Sequence, residues 1–67
     1  MISDIGKTAG NIWQALKKNG DMSMTKLKSS VEKNPFLLNA AIGWLAREDN
    51  IEIKKQGNSI IITLKTE

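Results

Sequence analysis

A chain of 67 residues is expected to fold as one domain, residues 1–67, and buries only about 60% of its unfolded surface. It has no cysteine and no histidine, which excludes disulfides and the usual soft metal ligands. A net charge of +3 is compatible with nucleic acid without demanding it, and nine of the ten cations are lysine.

The first helix is expected over Ser3 to Lys18. Ile5, Ala9, Ile12 and Leu16 recur at helical spacing, with Trp13 beside them. Ser3 is the expected N-cap and Asp4 suits the helix dipole in the first turn. Lys17 and Lys18 suit the far end, and Gly20 fits just past it. Gly6 and Gly10, one turn apart, cost up to about 1 kcal/mol each against alanine. Close packing of another backbone would account for them. Gly6-Lys7-Thr8 looks like the end of a phosphate loop, but that motif needs a glycine where Met1 stands, and a strand before it.

Asn19-Gly20-Asp21 is a turn, and Met22 can add a short extended segment. Ser23 then caps a helix from Met24 to Ser30. Met22 and Leu27 occupy the two positions of a hydrophobic staple, and Leu27 and Val31 point inward. A tight turn at Glu32-Lys33 leads to the third helix. Its N-cap is Asn34 and Pro35 takes its first position, where a missing N–H costs nothing. Leu38, Ala41, Ile42 and Leu45 form one stripe, the core face. The opposite side carries Phe36, Ala40, Gly43, Trp44 and Arg47, with Asn39 at its margin. That surface is mostly apolar, and something other than water is expected to cover part of it.

Asp49-Asn50 is turn chemistry, after which the period changes to two. Ile51 and Ile53 alternate with Glu52 and Lys54, Gln56-Gly57-Asn58-Ser59 makes a hairpin turn, and Ile60, Ile62 and Leu64 alternate with Ile61 and Thr63. The hairpin has an apolar underside, with Ile61 left on the other face.

This order, with three helices followed by a two-stranded β-hairpin, gives an α+β winged helix-turn-helix whose hairpin is the wing. Two segments, Ile5 to Gln14 (IGKTAGNIWQ) and Ala41 to Asp49 (AIGWLARED), resemble a small winged-helix domain family of bacteria and archaea, formerly a domain of unknown function. The resemblance covers nearly the whole chain. It implies the winged-helix fold and DNA binding, and carries over no catalytic residue.

DNA is therefore the first expected partner. Lys26, Lys28 and Lys33 flank the second helix and its turn, and Lys54 and Lys55 lie on the wing, with Lys65 returning beside it. Solvated faces of small proteins also carry lysine for solubility alone. On the third helix only Asn39 can pair bidentately with adenine, and Arg47 lies near the far end. A backbone-directed, weakly specific mode follows, in a regulator-like or architectural role. The alternative is a protein-interaction module that homodimerises through Phe36, Ala40, Gly43 and Trp44. Trp44 fits either that interface or a monomer core against the wing or first helix. An enzyme is not expected. The carboxylates Asp4, Asp21, Glu32, Glu48, Asp49, Glu52 and Glu67 are scattered over caps, turns and strands, and Glu48-Asp49 reads as a capping or ion-pair site. No cofactor, metal or small-molecule substrate is implied. No apolar run is long enough to span a bilayer and no signal peptide is visible, so a cytoplasmic location is expected.

Overall fold

The computed structural model describes residues 2–65, so Met1 and Glu67, used in the phosphate-loop and carboxylate arguments, lie outside the described residues. Within them the order is α1 (Ile2–Asn19), β1 (Met22–Ser23), α2 (Met24–Ser30), α3 (Pro35–Arg47), β2 (Ile51–Gln56) and β3 (Ser59–Leu64).

The helix ends follow from local chemistry, with one correction. α1 already includes Ile2, so Ser3 lies inside its first turn and is not the N-cap. At its other end Gly20 takes φ +83 and its N–H donates to the Leu16 carbonyl at 2.8 Å, the left-handed stop that glycine makes without strain. Ser23 Oγ accepts from the Lys26 N–H at 3.1 Å and caps α2. Met22 and Leu27, the two staple residues, are both buried.

Met22 also pairs across to Ile62, and Ser23 to Ile61. The sheet is therefore three-stranded and antiparallel, in the order β1-β3-β2, rather than a bare hairpin. Directly opposed residues share a face. Met22, Ile51, Ile53, Lys55, Ile60, Ile62 and Leu64 lie on the side of the core, and Ser23, Glu52, Lys54, Ile61 and Thr63 on the other. Ile61 is half-buried on that second face, with Ser23 and Lys54 as its cross-strand neighbours. The central strand thus has company on both faces.

The core joins three layers. Ala9, Ile12 and Leu16 of α1 meet the α3 stripe Leu38, Ala41, Ile42 and Leu45, and Leu27, Met22, Ile51 and Ile62 close it from α2 and the sheet. Ile12, Leu16, Leu27 and Ile62 are the largest side chains wholly removed from solvent. Ile5, expected in this set, is only half-buried. Ile53 was expected on the apolar underside and does share its face, yet 51% of it is exposed. The reason is position in the sheet. β2 is an edge strand, and past Ile51 it runs out beyond the cover of the helices.

This separation between core and wing gives a measurable contrast. Leu45→Ala is expected to lose about 2–5 kcal/mol in chemical denaturation, because it opens a cavity in the buried stripe. Ile53→Thr keeps a β-branched residue at an exposed site and should stay within about 0.5 kcal/mol. Equal losses would show that the wing is part of the core.

Candidate nucleic-acid interface

α3 is set by its own first turn. Asn34 Oδ1 accepts from the N–H groups of Phe36 at 2.9 Å and Leu37 at 3.3 Å, and Pro35 occupies the first turn. The Asn34 N–H in turn donates to Glu32 Oε2 at 3.2 Å, which holds the tight turn after α2 against the helix start. With Leu38, Ala41, Ile42 and Leu45 buried, the outward ridge is Phe36, Asn39, Gly43 and Arg47, all exposed, with Ala40 half-buried beside it. Phe36 is 60% exposed. The ridge thus brings Asn39 and Arg47 onto one line, separated by apolar and small residues.

The expected phosphate-binding lysines do not form one patch. Lys26 and Lys28 are exposed on either flank of buried Leu27, and Lys33 is exposed in the turn before α3. On Lys26's side, a shallow cleft is lined by Asn19, Asp21, Ser23 and Ser30. Lys54 and Lys55 point to opposite faces of β2 because successive strand residues alternate. Lys54 Nζ lies 4.0 Å from Glu52 Oε1, an exposed pair of little energetic weight. These groups lie on separate elements: α2, the turn before α3, and β2.

Lys65 is committed elsewhere. Its ammonium lies 2.6 Å from Asp49 Oδ1, and its N–H donates to the Asn50 carbonyl at 2.8 Å. The hydrogen bond that the Lys65 ammonium donates to Asp49, then the negative charge of Asp49, raises the Lys65 pKa above its ordinary value of 10.5. Asp49 itself sits in the left-handed region at φ 64. The ion-pair role expected for Glu48-Asp49 is thus held by Asp49, with Lys65 as partner. It links the α3–β2 turn to the end of β3.

Of the two readings of Trp44, placement beside the first helix is met in part. The side chain leaves the ridge for the α1 side, lining a shallow groove with Gly6, Gly10, Trp13 and Gln14, and stays 45% exposed. The close backbone expected at Gly6 and Gly10 is not there. A Cβ built on either glycine meets nothing within 4 Å, and the same holds at Gly43. This groove was missed from sequence, although Gly6, Gly10 and Trp13 on one side of α1 could have pointed to it.

The sequence pattern of the family described as Winged helix-turn-helix domain (DUF2582) matches residues 1–64. The chain belongs to this family. A protein of Methanocaldococcus jannaschii named "Uncharacterized protein MJ1608" is 38% identical over 68 residues, covering 97% of this chain and 96% of that one. No solved structure matches. Membership agrees with the resemblance seen in the two sequence segments and with the three helices and antiparallel sheet among the described residues. At a general level the winged helix-turn-helix associates the chain with DNA binding and with a typically non-enzymatic fold. None of the helices among the described residues is long and apolar enough to cross a membrane.

The Asp49–Lys65 bridge has a defined pH signature. A raised lysine pKa means that its stabilisation is complete below the ordinary lysine value and is lost as pH rises through the higher folded value. An NMR titration of the Lys65 side chain should show it holding its proton to a pH above the ordinary lysine value, and Asp49→Asn should abolish the difference. A Lys65 that titrates at the ordinary value would return it to the pool available to phosphate.

Proposed function

We propose that this chain is a non-enzymatic DNA-binding protein of the cytoplasm that grips duplex DNA mainly through its phosphates. In this reading residues 1–67 act as one domain, in a regulator-like or architectural role. The observation that carries it is the outward ridge of α3. In a helix-turn-helix the second helix lies in the major groove. Here that helix presents Phe36, Gly43 and half-buried Ala40 around Asn39 and Arg47, so base edges find few partners. Lysine supplies the rest. Lys26, Lys28 and Lys33 flank the approach from α2 and its turn, while Lys54 and Lys55 extend it along the wing. Lysine is a compact charge without the fork that reads guanine, which favours backbone neutralisation over sequence discrimination.

Weak affinity, steep salt dependence and little preference among unrelated duplexes are the expected results. Replacing Lys54 and Lys55 together with Gln should reduce the log–log salt slope by about 1–2 units if both meet phosphates. Because the two lysines face opposite sides of β2, the single variants should differ if only one side of the wing meets the duplex. An unchanged slope would remove the wing from the contact. No binding to any duplex at low salt would overturn the DNA reading.

A second reading is favoured by one specific observation, the exposure of Phe36 and Trp44 at 60% and 45%. Large exposed aromatics beside Ala40 and Gly43 suit a homodimer interface on the outer side of α3. On the ridge itself, such a contact would compete with groove reading. Sedimentation of the free protein tests it, with a dimer expected at micromolar concentration and a monomer overturning it.

A further inference from the structure

The groove between α1 and α3 is separate from the ridge, and its composition is unusual for this chain. It is lined by Gly6, Gly10, Trp13, Gln14, Trp44 and Asn50, with Ala9 and Leu45 at its base. None of these residues is charged, although 25% of the chain is. The glycines there weaken α1 without serving its own packing, since a Cβ at Gly6 or Gly10 would meet nothing within 4 Å. One cation lies beside the groove, where the Lys17 ammonium is 4.8 Å from the Trp13 ring centroid.

We propose that a second copy of this chain seats in the α1–α3 groove across a two-fold axis. The contact then involves Gly6, Gly10, Trp13 and Gln14 of α1 together with Trp44. The proposal rests on the dimer reading above and moves its contact from the α3 ridge onto α1. Charge selects the occupant. Two copies of a +3 chain repel, and they approach most easily through a neutral patch. A nucleic acid would instead call for cations along the floor.

Shape and size agree. A two-fold interface must fit its own copy, and this patch holds the exposed Trp44 together with open space at Gly6 and Gly10 to receive it. Interface centres lack charge and are rich in aromatics, with charged groups such as Lys17 left to the rim. A standard contact takes about 800 Å² from each partner, roughly a sixth of the 4621 Å² surface. α1, with 18 residues and so about 27 Å long, runs the length of such a contact. In this arrangement the ridge of Phe36, Asn39, Gly43 and Arg47 stays open, so dimerisation and duplex binding coexist.

The test is sedimentation equilibrium of the full chain and three variants, with circular dichroism to establish that each is folded. Gly10→Arg places a long charged chain in the groove, and Gln14→Arg does the same from an already exposed position. Each is expected to weaken the dimer by about tenfold or more. Gly43→Arg, on the ridge, is expected to leave the dimer constant nearly unchanged. The proposal is supported by that loss in whichever groove variants remain folded. It is overturned, with the dimer itself still standing, by no such loss or by an equal loss in Gly43→Arg. A monomeric wild type removes both the groove contact and the dimer reading it rests on.

Discussion

Strand β3 is hydrogen-bonded along both edges, and Ile62 near its centre is wholly out of solvent. On one side Ile62 faces Met22, just ahead of α2, and on the other it faces Ile53, in the wing. One side chain therefore ties the helix-turn-helix unit to the hairpin. In a chain this short few residues can be fully buried, so each contributes a large share of a small total stability. The wing is held at its base by Ile51, Ile62 and Leu64, and Ile60 packs against the core farther out on β3, while β2 beyond Ile51 stays exposed.

Local signals in the sequence translated directly into structure where the chemistry is local. Ser23, Asn34 and Pro35 sit where capping rules place them, because a cap needs only the next three residues to act. The α3 stripe emerged intact because four apolar residues at helical spacing leave one orientation. What could not be read was non-local. The extended segment at Met22 was legible, but two residues are too few for a strand pattern, and only pairing with the distant β3 makes Met22-Ser23 a strand. Ile53 obeyed its alternation and still came out exposed, since the sequence does not say where the helices stop covering a strand. Ser3 failed as a cap for a smaller reason, the helix having begun before it. The groove of Gly6, Gly10, Trp13 and Trp44 needed the crossing of two helices, which no single-element pattern contains.

The electrostatics of the candidate interface are decided by pairing more than by count. Ten cations suggest a strongly attractive surface, but Lys65 is engaged by Asp49 and Lys54 has Glu52 close by. Asn39 and Arg47 share a line on α3, as the helical period requires, yet Gly43 separates them and Phe36 precedes Asn39. The membership of the family accounts for the architecture, and the ridge is what the proposed backbone-directed reading rests on. A scaffold can be kept while its reading positions are given over to another use.

The free edge of β2 carries one more implication. Six residues of that strand leave backbone groups without a neighbouring strand, and exposed Ile53 lies in the middle of them. A bare edge with an apolar residue is a template on which other chains can stack into larger sheets. Glu52, Lys54 and Lys55 surround Ile53 with charge, and burying those charges in a stacked sheet would be costly. The wing lysines thus act as gatekeepers of colloidal solubility whether or not a phosphate ever meets them. Any change that neutralises them weakens the protection of the sheet edge at the same time.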